Sequence, residues 1–267
     1  MILVTGASGQ LGSAIVASLK ASKVPVTRGT RNPVVGGSDL HVDFDDPSTL
    51  DFSGIDTLVL VSAGYAEDDV VVARHDRVVA AAERDGVQHI IYTSLADGGD
   101  HLGFALAHRW TERRLQQGTI PWTILRNGLY AELIGQLLTP KNGTITAPFG
   151  NGRVAAIARQ DLAEAGSNVA YDPQAHAGKT YNLVGTEAFS AQDVADAIGA
   201  NYQPGTLEDL RHGLNAAGLL PFQPAMLLSM HTAVGHGFLE ATTSDITRLL
   251  GQAPRNALAI AAAAAQR

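Results

Sequence analysis

Apolar and polar positions in the first half of the chain switch repeatedly between two periods. Short runs rich in Val, Ile and Leu, at residues 2–5, 24–27, 57–61, 89–93 and 123–125, have the length and composition of buried strands, and 41–44 supplies a shorter one. Between them, residues 10–20, 70–85 and 107–117 carry apolar side chains at the spacing of one helix face. Gly86 follows the second of these segments, where a helix commonly stops. Strand and helix alternating at this pace predict βαβ units and a parallel sheet covered on both faces. The expected fold is therefore α/β, a doubly wound parallel sheet of the Rossmann type.

Beyond Asn127 the pattern changes. Pro140, Gly143, Pro148, Gly150 and Gly152 break the period, and helices then return without regular strand partners. Ser190 with Asp193, and Thr206 with Asp209, have the spacing of helix N-terminal caps. The segment from Gly205 is helical and apolar, with Phe222, Met226, Met230 and Phe238 at its centre, and 257–265 reads as an Ala-rich terminal helix. The expected organisation is a nucleotide-binding domain over 1–130, to which 156–184 return. Residues 131–155 and 185–267 form a smaller, mostly helical substrate-binding region.

Composition narrows the function classes. The 267 residues carry a net charge of −7 and no basic stripe, which argues against a nucleic-acid partner. There is no Cys, so thiolate catalysis, disulfides and Cys-ligated metals are excluded, and a reducing cytoplasm is the expected compartment. The first residues lack the basic and apolar regions of a signal peptide, and the longest apolar run is about half a membrane span. The histidines, including His75, His89, His231 and His236, form no ligand-like cluster, so no metal site is expected. A monomer or homodimer acting on a small molecule, away from membranes, fits these features.

The strongest chemical signal follows the first strand: Thr5-Gly6-Ala7-Ser8-Gly9-Gln10-Leu11-Gly12, then a helix. In a G-x-x-G-x-x-G loop placed between strand and helix, the first glycine permits a tight turn and the second lets backbone N–H groups meet a pyrophosphate. The third lets the helix pack on the strand. The phosphates then sit on the positive end of the helix. Gly6, Ser8, Gly9, Gln10, Leu11 and Gly12 are accordingly expected to bind a dinucleotide. An NAD site would place an acid about 20 residues further on, but Arg28 and Arg31 stand there instead. A guanidinium suits a 2′-phosphate, so NADPH is the expected cofactor, with Arg31 its reader unless both arginines are plain surface charges.

Several segments together resemble one family. Residues 2–12, Gly86 to Leu95, His108 with Thr111 and Glu112, Trp122 to Tyr130, Arg159 to Ala163 and Lys179 to Leu183 are similar to the NmrA-like atypical short-chain dehydrogenase/reductases. The resemblance covers nearly the whole chain and implies an NAD(P)H-linked reductase or a non-catalytic redox sensor. Phe44, at the end of the short third strand, joins the expected cofactor-binding set. So do Ser62, Ala63 and Gly64 after the fourth strand, whose small side chains allow close approach, and Asn127 after the sixth.

The usual catalytic pair of short-chain dehydrogenases, Tyr-x-x-x-Lys, is absent, because no Lys lies four residues after any Tyr. Without a positioned acid, interconverting a simple alcohol and ketone is disfavoured. A quinone asks less: hydride addition gives a phenolate-like oxygen whose conjugate acid has a pKa of about 10, by analogy with Tyr. Hydrogen-bond donors and solvent suffice for such an anion. A quinone or similar flat conjugated acceptor is therefore the expected substrate. Ser94, after the fifth strand, and His108 are the candidates for a catalytic position. Alternatively, Ser94 is a strand-end cap, while His108 and Glu112, one turn apart, face each other as a pocket wall.

Overall fold

The computed structural model describes residues 1–34, 36–63 and 66–267. The alternation in the first half builds β1 (Ile2–Val4), α1 (Gln10–Ala21), β2 (Val26–Thr30), β3 (Leu40–His41), β4 (Thr57–Val61), α2 (Asp68–Asp85), β5 (His89–Leu95), α3 (Ala105–Gln117) and β6 (Trp122–Asn127). The chain continues through α4 (Ala131–Leu137), β7 (Thr144–Ala147), β8 (Arg153–Val154), α5 (Arg159–Tyr171) and β9 (Lys179–Leu183). It ends with β10 (Phe189–Ser190), α6 (Ala191–Ile198), β11 (Asn201–Pro204), α7 (Leu207–Ala216), α8 (Gln223–Gly235), α9 (Asp245–Leu250) and α10 (Ala257–Ala265).

Seven strands form one sheet in the order β3-β2-β1-β4-β5-β6-β9. Strands β1 to β5 pair in parallel, with Leu3 opposite Thr27 on one side and Leu58 on the other. This is the doubly wound α/β sheet that the alternation predicts. Its order reverses between β1 and β4, and such a switch point opens a crevice at the strands' carboxyl ends. Every residue of β5 is buried, which is why that segment reads as continuous rather than alternating hydrophobicity. One core cluster joins Leu3, Phe52, Leu58, Leu60, Val78 and Ile90. Gly86 ends α2 at φ 77°, where a side chain would be strained.

The chain divides into two compact units. One comprises Met1–Leu95, Leu106–Arg126 and Leu162–Tyr181, and the other Ala96–Ala105, Asn127–Asp161 and Asn182–Arg267. Within the second unit two small sheets appear that the sequence pattern does not reveal. In one, β7 and β11 pair in parallel, and in the other β8 and β10 pair antiparallel. Their strands are two to four residues long, too short for a period to register. The expected caps do form: Ser190 and Asp193 make a reciprocal capping box on α6, and Thr206 accepts from Asp209 N–H on α7. Strand β2 runs further than its apolar residues suggest, through Arg28 to Thr30, because Gly29 lies against Leu3, Val4 and Val42. Strand β3 stops early because Thr49 Oγ1 accepts from Asp43 N–H, and Asp43 from Asp45 N–H.

Helix α1 lies so close to the preceding loop that a Cβ on Gly12 would overlap the Gly6 carbonyl. A Cβ on Gly9 would stand 3.2 Å from the same oxygen, a contact that a small shift relieves. Gly12→Ala is therefore expected to lower stability by about 1–3 kcal/mol, the usual cost of forced overpacking, and Gly9→Ala by clearly less. Urea midpoints for the two variants check this, and equal midpoints would show that the helix can ride outward freely.

Candidate functional site

The loop after β1 is held by its neighbours on both sides. Thr5 donates its backbone N–H to the Val59 carbonyl at 3.0 Å, and its Oγ1 accepts from Val61 N–H at 3.0 Å. Ala7 N–H donates to the Gly29 carbonyl of β2 at 3.0 Å, and Gly6 turns the chain at φ 59°. Gly9 caps α1 without a side-chain hydrogen bond, and the first turn holds no acid. The N–H groups of Gln10, Leu11 and Gly12 thus have no carbonyl within the helix and no capping side chain, which is an anion site in waiting. These features fit a dinucleotide pyrophosphate, and the close approach of Gly12 to Gly6 leaves no room for a side chain at Gly12.

The two arginines of the β2 segment separate in the structure. Arg28 is engaged: its guanidinium lies 3.1 Å from Asp39 and reaches the Ala7 carbonyl at 3.4 Å. Arg31, just past the end of β2, is exposed and makes no ion pair among the described residues. Of the two, Arg31, the residue expected from the sequence to read a 2′-phosphate, is the one without a close carboxylate partner among the described residues. Nearby, Arg77 donates to the Phe44 carbonyl at 3.0 Å and Arg74 grips Asp45 through two nitrogens at 2.8 and 2.5 Å. Helix α2 thereby fixes the segment carrying Phe44.

After β4, Ser62 N–H donates to Thr93 Oγ1 at 3.0 Å and Ala63 N–H to His75 Nε2 at 3.1 Å. Gly64 lies outside the described residues. Among the described residues the Ser62 hydroxyl is buried with no hydrogen-bond partner at good geometry, and the same holds for Asn127 Oδ1 at the end of β6. Buried polar atoms are nearly always satisfied, so each orphan suits a group the protein binds. His75 is fully buried, and its tautomer follows from its partners. Thr111 donates its hydroxyl to the Ala107 carbonyl at 2.7 Å, so it accepts at 2.8 Å from His75 Nδ1–H, leaving Nε2 free to accept from Ala63.

A polar cluster around Glu112 has no counterpart in the sequence pattern. Glu112, 3% exposed, accepts from Ser94 Oγ at 2.5 Å, from Arg109 at 2.8 Å, and from Arg126 at 2.9 and 2.5 Å. Arg109 also donates to the Leu95 carbonyl at 2.9 Å. One carboxylate thus ties β5 and β6 to α3. The Ser94 hydroxyl proton is committed to this cluster. His108 Nδ1 meets the Tyr92 hydroxyl at 2.9 Å, and His108 also feels the charge of Glu112 one turn on. Residues four apart share a helix side, but here each turns to a different strand partner. Only the residue types Ser, Glu and Arg near strand ends could have hinted at the cluster. Among the described residues no group of three or more His, Asp or Glu is arranged to hold a metal ion.

Comparison with known proteins places this geometry among relatives. The family model described as NAD(P)H-binding matches residues 6–173. Quinone oxidoreductase 2 of Escherichia coli is 30% identical over 94% of this chain and 94% of its own length. The structure of an NADPH-dependent quinone oxidoreductase from Escherichia coli, complexed with NADPH, superposes with a TM-score of 0.87 at 28% identity, covering 98% of this chain and 99% of that one. Triphenylmethane reductase of Citrobacter sp., complexed with NADP(H), gives 0.85 at 29% identity, with coverages of 97% and 98%.

Two outcomes follow from the buried groups. Glu112→Gln removes the charge between Arg109 and Arg126 and is expected to cost about 2–3 kcal/mol, less than a fully buried pair because both arginines are partly exposed. Chemical denaturation measures this, and a loss near zero would show that the cluster is held by packing alone. Burial pushes His75 down to about 3, and His89 and His108 to about 4, against an ordinary 6.5. The unfolded chain therefore binds more protons between these limits. Stability is complete above pH 6.5 and falls as pH drops toward 4, by about 1 kcal/mol per pH unit for each histidine. Denaturant midpoints between pH 7 and 4.5 read the slope, and a flat profile over that range would contradict the neutral assignment.

Proposed function

Because the chain belongs to the NAD(P)H-binding, NmrA-like family, we propose that it is an NADPH-dependent reductase of quinones or similar flat conjugated acceptors. The observation that carries this reading is the uncapped start of α1 at the sheet's switch point, with the unpaired Arg31 beyond β2. The likeness to a quinone oxidoreductase over almost the full length of both chains supports it.

In this reading the N–H groups of Gln10, Leu11 and Gly12 hold the pyrophosphate, beside Gly6, Ser8 and Gly9 of the turn, and Arg31 holds the 2′-phosphate. Phe44, Ser62, Ala63 and Gly64 border the rest of the nucleotide, while the orphaned Oδ1 of Asn127 accepts from a cofactor hydroxyl or amide. NADPH, when bound, supplies the hydride. Helix α3 carries neither Tyr nor Lys, and Ser94 gives its proton to Glu112. No tuned side-chain acid stands there, which suits an acceptor whose anion is delocalised and takes its proton from water. Positioning then supplies most of the rate. Residues 131–155 and 185–267 contribute the acceptor-binding surface, and the protein works in the cytoplasm as a monomer or homodimer. No helix among the described residues is long and apolar enough to cross a membrane.

The test is consumption of NADPH and of NADH with a panel of quinones, triphenylmethane dyes and azo compounds. Turnover with any of them supports a reductase, and tight NADPH binding with no turnover would turn the reading to a redox sensor. Arg31→Ala is expected to weaken NADPH about tenfold or more, since a charge-assisted bond to phosphate is worth roughly 1.5–3 kcal/mol. NADH affinity is expected to hold. Equal losses for both nucleotides would remove Arg31 from the 2′-phosphate.

A further inference from the structure

The second unit contains a cavity of about 570 Å³, lined by residues of the segments assigned above to acceptor binding but by none that was given a named role there. That volume lies within the range of small-molecule sites. Leu137, Pro148, Leu210, Leu214 and Leu227 give it apolar walls. Helix α7, which bears Leu210 and Leu214 one turn apart, has no buried residue at all, so its apolar side is turned to this space rather than to packed core. Gln136, Thr139, Thr144, Thr146 and Thr206 also line it, and its most buried polar side chain is His231, only 3% exposed. Its Nδ1 lies 2.8 Å from the Leu227 carbonyl, which can only accept, so Nδ1 carries the proton and Nε2 is a bare acceptor. Phe149 packs against the same ring with centroids 5.0 Å apart, and burial holds the imidazole below its ordinary pKa, hence neutral. Nε2 has no donor partner among the described residues, while the residue lines the cavity. The charged groups around the cavity are Lys141 and Asp209, and the Asp209 carboxylate already accepts from the Thr206 hydroxyl.

We propose that this cavity is a second ligand site, which takes a neutral hydrophobic molecule bearing one hydroxyl and accepts that hydroxyl's proton in a hydrogen bond at His231 Nε2. The apolar walls favour the body of such a molecule over water, and the buried acceptor of His231 favours a group that can donate.

The probe is 1-adamantanol, a cage alcohol that a site for flat acceptors disfavours, compared with its methyl ether, which has the same body and no donor. Calorimetry on the full-length protein is expected to show saturable binding of the alcohol, at least tenfold tighter than the ether. His231→Phe is expected to abolish that preference. Leu214→Trp, a change on the half-buried side of α7 that should leave the core intact, fills the cavity and is expected to abolish binding of both. Absence of binding, equal affinity for alcohol and ether, or alcohol binding untouched by Leu214→Trp would each overturn the proposal. The Leu214→Trp arm decides the matter even if His231→Phe fails to fold.

Discussion

A buried carboxylate must find its full complement of donors or it will not remain charged, and Glu112 meets that demand by reaching beyond its own helix. Its donors come from the end of β5, from β6 and from one turn back on α3. Taking one charge out of water costs several kcal/mol, which two guanidinium groups and a hydroxyl offset only if all three stay in place. The two strands and the helix are therefore fixed relative to one another by the geometry of a single residue. The same arrangement determines what Ser94 does, because its proton points to Glu112 and leaves the strand end without a free acid.

The rest of the polar interior of the first unit follows another rule. His75, His89 and Tyr92 are fully buried, and the imidazoles are kept neutral by desolvation rather than stabilised by acids. Neutral imidazole offers one donor and one acceptor at opposite edges. At His75 both are used, joining the Ala63 N–H to a Thr111 hydroxyl that is itself anchored on the Ala107 carbonyl. The start of the segment after β4 is thus held by a relay through two helices. At His89, Thr123 donates to the His176 carbonyl and so accepts from Nε2, leaving Nδ1 buried without a partner.

Both patterns bear on the chemistry. A reductase for delocalised acceptors asks for a rigid nucleotide cradle and not for a tuned acid, and rigidity is what the Glu112 cluster and the Thr5 and His75 contacts provide. Arg28, held by Asp39 and resting on the Ala7 carbonyl, braces the loop, while Arg31 keeps its charge exposed.

What the sequence determined by itself was whatever depends on neighbours along the chain. The glycine loop, the stop at Gly86, the caps at Ser190 and Thr206, and the βαβ alternation are all set by steric and hydrogen-bonding rules within a few residues, so they are legible before any fold is known. Tertiary structure decided the rest. It separated Arg28 from Arg31 through Asp39, turned His108 to Tyr92 and Glu112 to Arg126, paired strands too short to carry a period, and left Asn127 Oδ1 and Ser62 Oγ without well-placed partners among the described residues. Those outcomes rest on which groups lose water together. Burial of Glu112 brings Ser94 and Arg126 to it although they stand 18 and 14 positions away along the chain, and no local spacing encodes that.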